Sequence, residues 1–317
     1  MTTARELAVE VTRKRALVIV NPYATTVSDR LRNLVVRALA ARFEVEAIDT
    51  QAAGHATDIC REAAFEGYDV VVAFGGDGTV NEVINGLAGS PTPVTCLPGG
   101  RTNVYCKLLG IPAEIVDATE HLLGLADRWT PRKVDLGRVN GRYFAASAGI
   151  GLDASVVARV DAHPEAKARF GANYFLLTAI ATFAGRYVLR APRLVASAGG
   201  ETVTGVTAVV QNGPYYTYFN HRPVEAAPGI ALDSATLAGL VLRRANAIDI
   251  PGLIARALGP GLHLADHRMV HALRPFTELD LRSADGRPLP LHVDGDYVGE
   301  VTEARFDVVP GALSVVA

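Results

Sequence analysis

The sequence of 317 residues has no long hydrophobic run, and its N-terminus lacks the apolar core of a signal peptide. Its longest apolar stretch, Tyr174–Phe183, falls well short of the roughly 20 residues that a transmembrane helix requires. These absences predict a soluble, cytoplasmic protein that would contact a membrane only from its surface.

Cysteine is scarce too, and neither sign of charge is in large excess. The three cysteines, Cys60, Cys96 and Cys106, lack the spacing of a metal site and suit buried thiols in a reducing compartment. The 31 basic and 33 acidic residues leave a formal net charge of −2, so the composition argues against nucleic acid as a partner.

Residues 1–130 alternate between strand and helix patterns, which predicts an α/β domain with a parallel sheet. Ligands of such sheets bind at the carboxyl ends of the strands. The predicted strands are Ala16–Val20, Phe43–Ile48, Val70–Phe74 and Pro93–Leu97, and helical periodicity covers Asp29–Phe43, His55–Glu66 and the residues from Val80 onward.

Residues 131–317 contain mainly short strand-like runs and predict a second, largely antiparallel domain. Two apolar helices are predicted here, Ala166–Gly185 and Ile250–Leu258. For the stretch Tyr174–Phe183, core packing is the favoured interpretation and a lipid-facing wall the alternative. The predicted strands are Lys133–Val139, Tyr143–Ser147, Leu194–Ala196, Thr202–Gln211, Leu237–Leu242, Phe276–Arg282 and Leu291–Val293.

The segment Gly75–Leu87 is the most informative part of the chain, because it places a glycine-rich turn between a buried strand and a helix. Glycines let the backbone approach a ligand closely, and a helix N-terminus offers free N–H groups to an anion. Asp77 within this turn would repel a bare phosphate unless a divalent cation lay between them. The segment therefore predicts a metal–nucleotide site.

This segment resembles the signature of the diacylglycerol kinase catalytic superfamily, which includes bacterial diacylglycerol kinases, YegS-like lipid kinases and sphingosine kinases. The resemblance extends along the chain through Asn21-Pro22, His55-Ala56, Leu97-Pro98 with Gly100 and Asn103, Val134–Gly137, Ala148–Ala154 and Val293–Asp296. It implies a nucleotide-binding α/β domain followed by a β-sandwich-like domain. The lipid head group would enter the cleft between them, and the last strands, about 291–317, would return toward that cleft.

The resemblance also implies ATP and Mg²⁺ as cofactors, a lipid substrate taken from a membrane surface by peripheral contact, and an enzyme that is often a homodimer. Gly75, Gly76, Gly78 and Thr79 would hold the ATP phosphates, and Asp77 would hold Mg²⁺. Asp294 would come to the cleft beside the nucleotide, although Asp-Gly is also a strong hairpin-turn signal.

Asp296 stands where many relatives carry a glutamate that acts as general base. Glu300, four residues on, would face the same side of a regular strand and competes for this role.

Three further residues have two interpretations each. Glu82 would contact the ribose or the metal shell by resemblance, but a carboxylate is also favoured in the first turn of any helix. Asn21 and Thr50 would lie around the nucleotide, and ordinary polarity at a strand end explains them equally well.

The loop Pro98–Asn103 resembles a second phosphate-side loop, usually P-x-G-T-G-N-D. Gly100 and Asn103 are retained, whereas Arg101, Thr102 and Val104 replace a hydroxyl residue, a glycine and an acid. Arg101 could pair with phosphate oxygens or obstruct ATP, and we assign Gly100, Arg101, Thr102 and Asn103 to the nucleotide site.

Together these features predict a lipid kinase that transfers the ATP γ-phosphoryl group to a lipid hydroxyl such as that of diacylglycerol, with Asp77 and Asp296 as catalytic residues. An NAD kinase-like enzyme is one alternative, although the continuation Asn81–Gly86 favours lipid kinases. A non-catalytic nucleotide- or lipid-binding protein is the other.

Overall fold

The computed structural model describes residues 13–187, 191–219, 222–227, 230–259 and 261–317. Its first part is a parallel sheet in the order β2-β1-β3-β4, with helices between the strands. The strands are β1 (Lys14–Val20), β2 (Phe43–Asp49), β3 (Val70–Gly75) and β4 (Val94–Pro98). The helices are α1 (Asp29–Leu39), α2 (His55–Ala63), α3 (Asp77–Leu87), α4 (Val104–Leu108) and α5 (Ile115–Leu125). This part confirms the predicted α/β architecture.

Three predicted helix limits in this part are wrong. Helix α1 does not reach Phe43, because the buried ring of Phe43 begins β2. Helix α2 ends at Ala63 rather than Glu66, because Gly67, at φ 72°, turns the chain toward β3. Helix α3 begins at Asp77 rather than Val80, since Gly76 has an extended backbone and is the N-cap. The free N–H groups of its first turn therefore belong to the glycine-rich motif itself.

The second part of the chain is mainly antiparallel, as predicted. Strands β14-β13-β10-β7-β16-β17 form a six-stranded sheet, whereas β5, β6, β8, β9, β15 and β18 extend the sheet that contains β1–β4. These strands are β5 (Arg132–Val139), β6 (Arg142–Phe144), β7 (Ser147–Gly151), β8 (Leu194–Ala198), β9 (Glu201–Gly205), β10 (Thr207–Gln211), β13 (Leu237–Leu242), β14 (Val270–Phe276), β15 (Glu278–Ser283), β16 (Leu289–Val293), β17 (Asp296–Val301) and β18 (Glu303–Val315), with β11 (Thr217–Phe219) and β12 (Arg222–Val224) as a separate hairpin.

Three predicted strands, Tyr143–Ser147, Thr202–Gln211 and Phe276–Arg282, are wrong for one common reason. In each of them the chain leaves one sheet and enters the other, from β6 to β7, from β9 to β10 and from β14 to β15. The two sheets pack face to face, and buried side chains of both, such as Phe306 and Val210, share one core. A continuous strand-like pattern in the sequence therefore does not reveal a change of sheet.

The final strand connects the two parts of the chain. Strand β18 pairs antiparallel with β5 along most of its length and meets β4 where Val315 lies opposite Val94. Residues close to the C-terminus therefore lie beside the parallel sheet formed by β1–β4. The division of the chain into domains 1–130 and 131–317 stays a prediction.

Helices α6 (Leu152–Asp161), α7 (Pro164–Thr182) and α8 (Ile250–Leu258) lie in the second part, and α6 was not among the predicted helices. Helix α7 is kinked at Gly171. Its Phe175 and Leu177 are 39% and 65% exposed, so core packing is the wrong interpretation for these two side chains. In the described ranges, no helix combines the length and apolarity needed to cross a membrane.

Candidate active site

Two glycine-rich segments pack backbone against backbone where β3 and β4 end. Gly99 N–H donates to the Gly75 carbonyl oxygen over 2.9 Å. A Cβ added to Gly99 would lie 2.8 Å from Gly75 Cα, and one added to Gly100 would lie 2.8 Å from Gly76 Cα. A side chain at position 99 or 100 would overlap this backbone, so glycine is required at both positions of the second segment. Both segments therefore lie at one edge of the sheet, where a parallel sheet binds its ligands.

Asn103 holds the second segment in shape. Its backbone is left-handed at φ 48°. Its Oδ1 accepts from Gly100 N–H at 2.9 Å, and its Nδ2 donates to the Gly100 carbonyl at 2.7 Å. The predicted ligand Asn103 therefore closes the loop around Thr102, which is partly exposed.

Asp77 lies at the junction of these segments with α4. Val104 N–H donates to Asp77 Oδ1 over 2.6 Å, so the carboxylate also caps the start of α4. Burial, assisted by the negative charges of Asp294 and Asp296, raises the pKa of Asp77 from 3.8 to about 6, against the lowering effect of the backbone hydrogen bonds. A carboxylate held at this cost among other carboxylates is a suitable partner for a cation.

Asp294 belongs to the turn between β16 and β17. Asp294 and Gly295 have φ values of 48° and 86°, so the turn signal in the sequence corresponds to a hairpin turn. The Asp294 carboxylate accepts four hydrogen bonds of 2.8–2.9 Å, from Asn81 Nδ2 and from the backbone N–H groups of residues 145–147. It therefore joins the hairpin to α3 and to the segment before β7.

Asp296 is carried to α3 by the same hairpin. A Cβ on Gly78 would lie 2.8 Å from Asp296 Oδ2. The Asp296 carboxylate therefore lies against the first turn of α3, at Gly78, which directly follows Asp77 in the sequence. The prediction that Glu300 faces the same side of the strand as Asp296 is wrong. A β-bulge on β17 reverses the alternation between them, so that Asp296 pairs with Val293 but Glu300 pairs with Pro290.

Asn21 and Thr50 follow β1 and β2 at the same edge of the sheet. Asn21 Nδ2 donates to Thr79 Oγ1 at 3.0 Å, and its Oδ1 accepts from Tyr23 N–H. Asn21 therefore orients a hydroxyl of the motif. Thr50 is buried, and its backbone N–H donates to the Val20 carbonyl.

Glu82 points to the neighbouring helix α2. Its two carboxylate oxygens accept from Gly54 N–H at 2.8 Å and from Ala56 N–H at 3.2 Å. These N–H groups belong to the start of α2, so Glu82 supplies the cap that Gly54 cannot provide. Because α3 begins at Asp77, Glu82 is not in the first turn of its own helix, and the first-turn interpretation is wrong. Its contact with the ribose or the metal shell stays a prediction.

Arg101 extends from the second glycine-rich segment toward α7. A Cβ on Gly171 would lie 2.8 Å from Arg101 Nη1, at the kink of that helix. The Arg101 side chain therefore connects the second glycine-rich segment to α7, in the second part of the chain. Both of its predicted effects on ATP, pairing and obstruction, stay predictions.

Two asparagines of the motif have roles that were not predicted. Asn81 Nδ2 donates to the Tyr143 carbonyl and to Asp294, and Asn85 accepts from Tyr143 N–H. Their spacing of four residues places both amides on one face of α3, and this spacing was the available signal. They attach the motif to β6 and, through Asp294, to the turn between β16 and β17.

Lys107 on α4 was also missed by sequence reasoning. Its Nζ lies 4.6 Å from the centre of the Tyr218 ring on the β11–β12 hairpin. Burial lowers the pKa of Lys107, and the charge of Asp77 opposes this effect. Lys107 therefore adds a cation whose charge interacts with that of Asp77.

The residues present fit a nucleotide with a divalent cation. Glycine backbone and the first turn of α3 suit phosphate oxygens, and Asp77 and Asp296 suit a hard cation. In the part of the chain that the structure describes, no three His, Cys, Asp or Glu side chains form a complete metal site. Mg²⁺ commonly takes one or two carboxylates and completes its shell with phosphates and water.

Comparison with known proteins identifies related sequences and folds. Residues 15–139 match the diacylglycerol kinase catalytic domain. The chain is 28% identical to a diacylglycerol kinase of Bacillus subtilis (strain 168) over 299 residues, which cover 90% of this chain and 91% of that protein. It is 36% identical over 136 residues to a diacylglycerol kinase of Staphylococcus aureus (strain JH9), with 42% of each chain covered.

The fold is similar to that of a candidate diacylglycerol kinase from Bacillus anthracis str. Sterne, known from a crystal structure. The TM-score is 0.74 at 23% sequence identity, and the match covers 96% of this chain and 97% of that one. The likeness supports the fold class of a parallel α/β part followed by an antiparallel part.

Proposed function

We propose that this protein is an ATP- and Mg²⁺-dependent lipid kinase, because residues 15–139 match the diacylglycerol kinase catalytic domain and the chain is 28% identical to a diacylglycerol kinase of Bacillus subtilis (strain 168). It transfers the γ-phosphoryl group of ATP to a lipid hydroxyl such as that of diacylglycerol. The observation that carries the proposal is the meeting of Asp77 and Asp296 beside two glycine-rich segments.

Phosphoryl transfer requires alignment and neutralisation of charge more than covalent help from the protein. Backbone N–H groups of Gly76 and Gly78 bind phosphate oxygens, and Thr79, oriented by Asn21, adds a hydroxyl. Asp77 holds the Mg²⁺, which supplies positive charge to the phosphates when bound. With a pKa of about 6, Asp77 is mainly ionised at neutral pH.

Asp296 is the general base of the proposed reaction. It lies at the start of β17, where its hairpin is anchored through Asp294. A base must come within about 3 Å of the hydroxyl whose proton it accepts, or act through one water. Asp296 would therefore accept the proton of the lipid hydroxyl, and the turn Gly75–Thr79 would hold the ATP phosphates.

A lipid acceptor also requires contact with a membrane surface, and exposed apolar side chains on α7 support such contact. Phe170, Phe175 and Leu177 are 56%, 39% and 65% exposed, and the Arg169 guanidinium lies 5.3 Å from the Phe170 ring. Aromatic and leucine side chains beside a cation suit the interface of an anionic bilayer.

Vesicle sedimentation tests this contact. The double variant Phe175→Ser/Leu177→Ser should lose binding to vesicles that contain phosphatidylglycerol. The matched variant Phe65→Ser, which changes a 92% exposed ring outside α7, should keep it. Equal binding by both variants would refute the role of α7.

The kinase is tested with purified protein, Mg²⁺, labelled ATP and a total lipid extract, beside the variants Asp77→Ala and Asp58→Ala. Asp58 is an exposed acid on α2 and controls for a change of charge. We expect a labelled lipid with wild type and Asp58→Ala only.

Three other results would contradict the proposal. Wild-type turnover by Asp77→Ala would refute the role of Asp77. Labelling of NAD instead of a lipid would favour the NAD kinase-like alternative. ATP binding without any labelled product would favour a non-catalytic protein.

A further inference from the structure

Three polar side chains form a cluster that the proposed reaction does not use, with His292 buried and Asp153 and Tyr216 partly exposed. His292 on β16 is only 1% exposed, and its Nε2 contacts Asp153 Oδ2 at the start of α6. Tyr216, which follows β10, donates its hydroxyl hydrogen to the same Asp153 oxygen, and its hydroxyl lies 3.2 Å from His292 Nε2. The cluster therefore joins a strand, a helix and a loop.

The motif Ala148–Ala154 is built around this cluster. Gly149 lies opposite His292 in the β7–β16 pair. A Cβ on Gly149 would lie 2.5 Å from His292 Nε2 and still closer to Asp153 Oδ2. Gly151, at φ 97°, then turns the chain into α6. The glycines of the motif thus make room for the cluster and aim Asp153 at it.

The charges of the cluster are mutually dependent. Burial alone would raise the pKa of Asp153, but the charge of His292 and hydrogen bonds from His292 and Tyr216 hold it below the ordinary value. Burial and the Asp153 charge raise the pKa of Tyr216 well above its ordinary value. At neutral pH Asp153 is therefore ionised and Tyr216 keeps its proton. Removing His292 would leave the charge of the Asp153 carboxylate poorly compensated.

The cluster also holds the hairpin that carries the proposed base. Two residues after His292 the chain reaches Asp294, and two residues later Asp296. Helix α6 contacts this hairpin at a second point, where Tyr297 N–H lies 3.5 Å from Asp161 Oδ2. Both strands of the hairpin are therefore attached to α6, β16 through His292 and β17 through Tyr297.

We infer that His292, fixed by Asp153 and Tyr216, is a positioning residue that sets the place of Asp296 relative to Gly78 and Asp77. This inference rests on the proposed kinase function. A displacement of about 1 Å at a reacting group can lower the rate about 100-fold, so loss of this support should appear in kcat.

The test compares His292→Leu with His292→Gln, whose amide N–H replaces the donor to Asp153. We expect His292→Leu to lower kcat about 10- to 100-fold with little change in KM for ATP, and His292→Gln to restore most of it. Tyr216→Phe, which removes a single hydroxyl, should lower kcat less.

The matched control is His271→Leu. His271 lies on β14, at the opposite edge of the same sheet, where it contacts Glu201 and Arg243. This control should keep the wild-type kcat. The inference would be overturned if folded His292→Leu kept the wild-type kcat. If that variant does not fold, a wild-type kcat in Tyr216→Phe would overturn it instead. Equal losses of kcat in the Leu and Gln variants would also overturn it.

A readout without turnover separates this inference from the proposed function. In protein labelled with ¹⁵N-histidine, Mg²⁺ should shift the ring signals of His292, and Asp296→Asn should abolish that shift. If no lipid is phosphorylated but the His292 signals still respond to Mg²⁺, the proposed function fails and the positioning role of His292 is supported. If the response is absent, the positioning role is overturned.

Discussion

Replacing Asp77 with asparagine should remove activity and at the same time stabilise the fold. The amide oxygen of the new side chain would still accept from Val104 N–H, so the cap on α4 is kept. Only the charge is lost, and the native state places that charge in a buried position near Asp294 and Asp296. A residue that is kept for ligand binding can lower the stability of the ligand-free protein. Removing the buried charge of Asp77 should therefore raise stability.

The sign and size of the effect follow from the pKa. A carboxyl whose pKa is raised by folding binds its proton more tightly in the native state, so the free energy of unfolding falls as pH rises from about 4 to above 6. Each pKa unit corresponds to about 1.4 kcal/mol, so the rise from 3.8 to about 6 costs at most about 3 kcal/mol at pH 7.5. About one third of this remains at pH 4.5.

Urea unfolding without Mg²⁺ measures the effect. At pH 7.5 the variant Asp77→Asn should exceed the wild type by about 1–3 kcal/mol, and most of the difference should disappear at pH 4.5. The variant Asp77→Ala should gain less, because it loses the Val104 cap at a cost of about 1 kcal/mol. The exposed Asp58→Asn serves as control.

Two outcomes would refute this reasoning about Asp77. One is a stability difference that does not depend on pH. The other is stabilisation of Asp77→Asn by added Mg²⁺ as strong as that of wild type, because a cation that binds Asp77 should stabilise only the ionised site.

Three further predictions concern neighbouring residues. Asp296→Asn should lower kcat about 100- to 10,000-fold while the ATP dissociation constant, measured by fluorescence, is kept, and turnover near wild type would exclude it as base. Glu82→Gln should lower the free energy of unfolding by about 1 kcal/mol in urea and leave kcat nearly unchanged, since Glu82 caps α2, whereas a large kcat loss at full stability would indicate a nucleotide contact. Gly78→Ala places a methyl group 2.8 Å from Asp296 Oδ2 and should lower kcat about tenfold. Its thermal midpoint should not fall, because alanine favours a helix by up to about 1 kcal/mol, and a lower midpoint with full kcat would contradict this prediction.

Local patterns predicted much of the first part of the chain. Strands β1 and β3 contain apolar runs followed by turn residues, and position 75 needs glycine because a Cβ there would lie 2.5 Å from Thr79 Oγ1 of the same motif. The limits of α1, α2 and α3 were wrong by a few residues, because the buried Phe43 begins β2, Gly67 turns the chain after α2, and Gly76 is the N-cap of α3.

The second part was harder to predict, because its strands exchange sheets. The runs Thr202–Gln211 and Phe276–Arg282 look continuous, yet each contributes to both sheets of the sandwich. The exposed Phe175 and Leu177 on α7 have the composition of core residues, and their exposure follows from what packs around them. Glu300 was placed beside Asp296 by simple alternation, which a bulge on β17 cancels.

The sequence by itself determined the parallel α/β start of the chain, the glycine-rich turn with Asp77 and, through a resemblance, the class of reaction to test. These depend on residues that are close together in the chain. Tertiary structure alone decided that Asp294 bonds to Asn81 across 213 residues, that Asp296 lies against Gly78, and that His292 meets Asp153. Such contacts depend on strand pairing between distant segments, and no local propensity specifies which strand returns beside which helix.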